Sequence, residues 1–282
     1  MTLSVVAFFG REAYRLFNDQ LSITVVPALS GRVMELIVGS RNLLWINQPL
    51  LEGRAGGDPA FGGWKNWGGY KTWLAPQAHW PDPEAQSEDI DSVEWEVVAR
   101  TEDSLDLRGP IIPWSGVRLG RRIALTPEAQ RRGQTLGVSI GETILNASAQ
   151  PQTWAVWAVA QFPVPGWATF PSKDSKRVKT LHASPPRLDQ GRLRFSGNSK
   201  WKVGALGVEG WGEYRADGWP RAFRAIFPPQ AALPHADDCN LEVWSNSDPG
   251  YMELEWLGPI VTLKPGEEWV FETEWAISQP LT

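Results

Sequence analysis

Short runs of alternating or continuous apolar residues, interrupted by turn residues about every ten positions, predict an all-β protein with large antiparallel sheets. Two further observations point the same way. The 23 Pro and 27 Gly are spread along all 282 residues, and no segment carries the 3.6-residue period of a helix three turns long. The absence of a clean linker or a fixed-period repeat makes residues 1–282 a single domain in this reading.

The elements follow in order. Residues 12–27 read AYRLF, then Asn18-Asp19-Gln20, then LSITVVP, two β-rich runs around turn residues and hence a hairpin. VMELIVG and LLWIN continue the pattern as a meander across Gly and Asn turns. From about 50 to 91 regular pattern fades, and loops of that length in a compact domain are usually functional or disordered. Its many indoles argue against disorder. Residues 92–98 alternate, with Val93, Trp95 and Val97 on one side. GVRLGRRIALTPE and TLGVSIGETILNAS form two long strands around a Gln/Arg/Gly turn. TWAVWAVAQF, residues 153–162, is apolar on both faces and reads as a central strand. From 178 to 227 short strands alternate with Asp/Gly and Gly/Asn turns. CNLEVWSN, YMELEWLGP and EWVFETEWAI close the chain, the last with Trp269, Phe271, Thr273 and Trp275 on one side.

Composition excludes several classes of function. The net charge of −5 and the lack of any basic run argue against nucleic acid or an anionic membrane surface as partner. No apolar run reaches the length of a membrane span. MTLSVVAFFGREAYRLF has no basic segment ahead of its apolar patch and no small-residue cleavage site, so it reads as a first strand rather than a signal peptide. The lone Cys239 excludes an internal disulfide and a cysteine-based zinc cage, and points to the cytoplasm. No two of the three His are spaced as metal ligands. G-x-S-x-G, P-loop and Rossmann glycine patterns are missing. No metal and no cofactor are expected, and the oligomeric state is left open.

The informative stretch is 62–83, GGWKNWGGYKTWLAPQAHWPDP. Glycines allow close backbone approach and prolines fix the path. Trp64, Trp67, Trp73 and Trp80 supply flat apolar faces. Asn66, Lys71 and Gln77 supply polar groups beside them. Such a mixture suits a ligand with apolar faces and many hydroxyls, a small-molecule sugar or sugar derivative. The competing reading is an ordered loop whose indoles are all core. Arg32 and Lys71 are the cations placed nearest the sugar. Gln161, on an otherwise apolar strand, must satisfy backbone or face a ligand. His79 and Lys71 are candidate general acids, against the alternatives of a surface histidine and a surface lysine lying over a tryptophan. In YMELEWLGP, Glu253 and Glu255 share one strand face roughly 6–7 Å apart. Burial would equip either as a general base, and the alternative is a solvated face.

These pieces together resemble the galactose mutarotase-like, or aldose 1-epimerase-like, superfamily. LSITVVPALSGRVMELIVGSRNLLWIN resembles its opening strands. GGYKTWLAPQAHWPDP resembles the GG-K-W-APQ--WP signature of a domain-of-unknown-function branch within it. YMELEWLGPIVTLKPGEEWVFETEWAI resembles the closing strands that carry the catalytic carboxylate. The resemblance implies a large antiparallel β-supersandwich with a concave sugar-binding face. It implies that Glu253 or Glu255 takes the base position, while a histidine protonates the ring oxygen. The superfamily's histidine strand motif would fall near Val159-Ala160-Gln161-Phe162, which holds no histidine. Its loop histidine has no match unless His79 substitutes. Three functions stand open: a carbohydrate-binding protein, an active aldose 1-epimerase, or a non-catalytic structural β domain.

Overall fold

A computed structural model describes residues 1–59, 62–83, 88–126, 134–171, 178–183, 188–189, 192–194, 200–207, 209–246, 248 and 250–278. The chain begins with β1 (Thr2–Phe8), β2 (Arg11–Phe17), β3 (Leu21–Val26), β4 (Arg32–Val38), β5 (Arg41–Asn42) and β6 (Tyr70–Ala75). Then come β7 (Glu96–Arg100), β8 (Ser104–Ile111), β9 (Val117–Thr126), β10 (Gln134–Asn146), β11 (Gln152–Pro163) and β12 (Gly166–Thr169). β13 (Val178–His182), β14 (Leu188–Asp189), β15 (Arg192–Arg194), β16 (Trp201–Ala205) and β17 (Trp211–Ala216) follow. The last are β18 (Phe223–Ile226), β19 (Leu241–Asn246), β20 (Tyr251–Leu257), β21 (Val261–Leu263) and β22 (Glu268–Ser278). Among the described residues the longest α-helices, Gln48–Leu51 and Glu88–Asp91, have four residues each.

The strands form two large sheets. One runs in the order β1-β2-β3-β4-β6-β11-β20-β19-β16-β13, with β5 and β21 attached at β4 and β11. The other runs β14-β15-β12-β17-β18-β22-β10-β9-β8-β7. Neighbours in both pair antiparallel, as the turn-rich sequence requires. The β2–β3 hairpin closes through Asn18, whose Oδ1 accepts from the backbone N–H of Gln20 and Leu21 at 2.9 and 3.0 Å. Residues 153–162 are a central strand as expected: β11 is flanked by β6 and β20. The Gln/Arg/Gly turn expected between the two long strands and, within 178–227, residues 184–187, 190–191, 195–199 and 208 lie outside the described residues.

Two elements differ from the sequence expectation. The 62–83 stretch is not all loop, because Tyr70–Ala75 is an inner strand with every residue buried. A strand covered on both faces shows no period of two, which hid it. Gly68 and Gly69 lead into it at φ of 88° and 76°. A Cβ on either would collide with the carbonyl oxygen of Trp45 or Val33, so glycine is required where the chain squeezes against β4. The strand expected at 92–98 starts at Glu96 instead. Trp95 is drawn out of the ladder, buried against Gly31 and Gly109.

One hydrophobic cluster draws on both sheets. Trp201, Trp256 and Trp275 are among its largest fully buried side chains. Tyr70 stacks on Trp256 at 5.6 Å and meets Trp275 edge-on at 4.8 Å. A polar brace crosses the layers. The Tyr70 hydroxyl donates to Glu142 Oε1 (2.8 Å), and Arg121 donates to Glu142 (2.6 Å) and to Thr72 Oγ1 (2.6 Å). Buried charges require partners of this kind.

Candidate functional site

The face of the first sheet turned away from the second builds a polar hollow. Antiparallel register decides its membership. Glu253 lies opposite Gln161 of β11 and Trp244 of β19, and Glu255 lies opposite Val159 and Glu242. On β11, Val159 pairs with Lys71, and Trp157 with Trp73. On β16, Lys202 pairs with Trp244. Strand alternation therefore gathers Lys71, Trp73, Trp157, Gln161, Glu242, Trp244, Glu253, Glu255 and Lys202 on one face.

This face opens on a cavity of about 180 Å³. Its rings are Trp64, Trp73, Trp157, Trp244 and Tyr251; its polar lining is Gln77, Asn246, Lys202, Glu253 and Glu255. The indole-rich stretch and the paired acids thus border a common hollow. Glu253 Oε1 accepts from Gln161 Nε2 at 2.7 Å and lies 3.9 Å from Lys71 Nζ. Glu255 Oε2 accepts from Trp157 Nε1 (2.6 Å) and from Lys202 Nζ (3.1 Å). Lys202 Nζ also meets Glu242 Oε2 at 2.5 Å and sits 4.7 Å from the Trp157 ring.

Burial tunes these groups. It pushes the Glu253 carboxyl up, with Lys71 opposing and Glu255 adding to the rise. Burial pulls Lys71 down to about 8, against the pull of Asp91 and Glu253. Lys71 Nζ lies 3.4 Å from the centroid of Trp73 and 4.7 Å from that of Trp64, inside an aromatic box. Glu242 is pushed up to about 7 by burial, with Lys202 opposing. For Lys202 burial acts downward, but Glu255 and Glu242 outweigh it and raise the ammonium above its ordinary value. A carboxyl pushed up beside an ammonium pulled down is the arrangement that acid–base chemistry near neutrality uses.

Behind the cavity Asp91 holds the indoles. Its carboxylate accepts from Trp73 Nε1 at 2.8 Å and from Trp64 Nε1, and it pairs with Arg32 at 2.5 Å. Arg32 is fully buried and also donates to the Gly68 carbonyl at 3.1 Å, so it backs the site rather than facing the ligand space.

Other residues of the 62–83 stretch sit elsewhere. Trp80 is buried edge-on to Trp73 and donates to the Leu74 carbonyl at 2.9 Å. Trp67 belongs to a separate cluster with Leu50 and Leu51, and its Nε1 donates to Ser92 Oγ at 3.2 Å. Asn66 is buried but does not line the cavity. His79 is exposed, its ring 5.9 Å from Trp154, and is not brought to the cavity. Sequence reasoning missed Asp91, Trp157, Lys202, Glu242, Trp244, Asn246 and Tyr251. Trp157 and Tyr251 could have been found, since they share strand parity with Gln161 and with Glu253; Lys202, Glu242, Trp244 and Asn246 depend on pairings between distant strands, and Asp91 on the docking of a short helix. Among the described residues no cluster of His, Cys, Asp and Glu could hold a metal ion, and no helix is long and apolar enough to cross a membrane.

No protein-family model and no curated protein sequence matches the chain. Solved structures do. A galactose mutarotase-like protein from Lactobacillus casei ATCC 334 is 10% identical, with a TM-score of 0.64 over 94% of this chain and 99% of that one. A galactose mutarotase related enzyme from Lactobacillus acidophilus is 10% identical, with a TM-score of 0.65 over 95% and 98%. The Slr1438 protein from Synechocystis sp. PCC 6803 is 16% identical, with a TM-score of 0.65 over 97% and 98%. These likenesses run nearly the full length of both chains and share the two-sheet antiparallel architecture: the chain has the galactose mutarotase-like β-sandwich fold.

Proposed function

We propose that the chain binds a sugar in the cavity between the 62–83 stretch and β20. The observation that carries this reading is the lining itself: indole and phenol rings interleaved with the carboxylates of Glu253 and Glu255. Rings stack on the apolar faces of a sugar, and carboxylates accept from its hydroxyls. The cavity of about 180 Å³ lies below the ~300–1,000 Å³ of drug-sized sites, so the reading takes about one sugar ring as ligand. Likeness to galactose mutarotase-like proteins supports the same class. We take residues 1–282 as one domain, supported by a hydrophobic cluster common to both sheets, and the cytoplasm as its place, supported by the single buried, unbridged Cys239.

Titration of intrinsic tryptophan fluorescence with mono- and oligosaccharides tests the reading. A saturable change is expected, lost in Trp157→Ala; a flat response to the whole panel overturns it.

A second reading, aldose 1-epimerase activity, is favoured by the opposed shifts of Glu253 and Lys71 at 3.9 Å. In it Glu253 takes the proton of the anomeric hydroxyl while the Lys71 ammonium gives one to the ring oxygen. The bond from the anomeric carbon to the ring oxygen breaks, leaving an open-chain aldehyde. The aldehyde rotates, and the reverse transfers close the ring with inverted anomeric configuration. Lys71 then does the work assigned to histidine in the superfamily. NMR of anomer exchange measures it: acceleration over the buffer rate is expected, falling about 10²–10⁴-fold in Glu253→Gln. Unchanged exchange for all common aldoses removes this second reading.

A further inference from the structure

The cavity wall carries more carboxylate than ammonium. Two carboxylates line it, Glu253 and Glu255, against Lys202 as the lining ammonium. Lys202 is already divided between Glu255 Oε2 and Glu242 Oε2. Glu255 Oε1 and Glu242 Oε1 remain buried, and among the described residues no donor reaches them. Glu253 uses Oε1 for Gln161 and Lys71, and no described donor meets its Oε2. An ionised carboxylate only accepts, so with these groups charged no amide or hydroxyl reorientation within the site repairs the deficit. Counting Lys71 and Glu242, three carboxylates face two ammonium groups. The remaining walls are aromatic, and ring faces also attract cations; Lys71 and Lys202 already exploit this.

Resting on the sugar-binding reading, we propose that the cavity selects a 2-amino-2-deoxyaldose in its protonated form, its ammonium and the neighbouring anomeric hydroxyl held by the lining carboxylates of Glu255 and Glu253. The two carboxylates are two residues apart on one strand face, roughly 6–7 Å. That spacing lets vicinal groups of a single ring engage both. A neutral aldose fills the same hydroxyl positions but leaves the extra negative charge unmatched. A sugar phosphate or uronate brings an anion to a wall of unpaired carboxylate oxygens, which costs desolvation without a partner.

Isothermal titration of the full chain separates the possibilities, with glucosamine and galactosamine beside the parent aldoses and the corresponding 6-phosphates. The amino sugars are expected to bind at least about tenfold more tightly than glucose or galactose, with the phosphates undetectable. In Glu255→Gln the ratio of amino sugar to parent affinity should fall toward one. The wild-type comparison needs no variant to fold. Amino sugars that bind no better than the parents, or phosphates that bind better, overturn this inference while leaving the sugar cleft standing. If no member of the panel binds, the cleft reading and this inference fall together.

Discussion

The strands β6, β11 and β20 present two faces that are equally dry and chemically unlike. Toward the second sheet they carry Tyr70, Leu74, Ala158, Phe162, Leu254 and Trp256; toward the cavity, Lys71, Trp73, Trp157, Gln161, Glu253 and Glu255. Exposure does not separate them: Trp256 and Glu255 are both 0% exposed, and Trp157 only 7%. What separates them is how ionic groups are matched. In the interior they pair one to one, Arg121 with Glu142 and Arg32 with Asp91. On the cavity face three carboxylates, Glu242, Glu253 and Glu255, meet two ammonium groups, Lys71 and Lys202. Interiors close such accounts because an unmatched buried charge is costly. On the sugar-binding reading proposed above, this mismatch is met by a ligand that supplies the missing donors.

The hardest test of that contrast is at Asp91, where the two kinds of face meet. Asp91→Ala strips a buried guanidinium of its partner and two indole N–H groups of their acceptor. A loss of about 3–5 kcal/mol is expected from the unpaired charge, measured by denaturant unfolding, together with loss of the ligand-induced fluorescence change. A loss below 1 kcal/mol would mean that Arg32 finds another partner, and the one-to-one matching would cease to describe the interior.

Two tryptophans then compare the faces directly. Trp256→Ala should cost about 3–5 kcal/mol, as truncation of a large core aromatic does. Trp157 has one side on the hollow, so Trp157→Ala should cost less and abolish sugar-induced quenching. Equal costs with an unchanged titration would convert the cavity wall into ordinary core.

Much of the fold was legible because turn chemistry is local. Asn18 closing β2–β3 and the alternation of β22 are read from neighbours in the chain. The strand Tyr70–Ala75 was not, because burial on both faces erases the period that announces a strand. The site was legible in part. Trp73, Lys71, Gln161, Glu253 and Glu255 stood out as residues whose polarity or bulk disagrees with their setting. Lys202 and Glu242 look like ordinary surface charges until β16, β19 and β20 are paired, and no local pattern fixes that pairing. His79 lies away from the cavity for the opposite reason: its neighbour in sequence, Trp80, turns inward while the histidine turns out.

Acid and base should tell the faces apart at a smaller scale. Glu242 rises from an ordinary 4.5 to about 7 in the fold. Its raised value means that the folded form binds the proton more tightly, so its contribution is complete below about 4.5 and is lost as pH climbs through about 7. The displacement corresponds to at most roughly 3 kcal/mol. Lys71 has the opposite sign: lowered from 10.5 to about 8, it contributes above about 10.5 and the contribution is lost as pH falls through about 8. Thermal midpoints taken from pH 5 to 8 should therefore decline in the native chain and decline less in Glu242→Gln. Parallel curves for the two proteins would show that Glu242 does not titrate in this window.

The smallest expected effect is at His79. Its ring is exposed, 5.9 Å from Trp154, and borders neither the cavity nor the buried ionic pairs. Surface substitutions away from such features stay within about 0.5 kcal/mol, and His79→Ala should do so. It should also leave the sugar titration and any anomer exchange at the native level, whereas Lys71→Met should abolish exchange. If His79→Ala slowed exchange as much as Glu253→Gln, the proton donor would come from the rim of the fold. The cavity face would then bind without supplying the acid, and its lysine in the aromatic box would need another role.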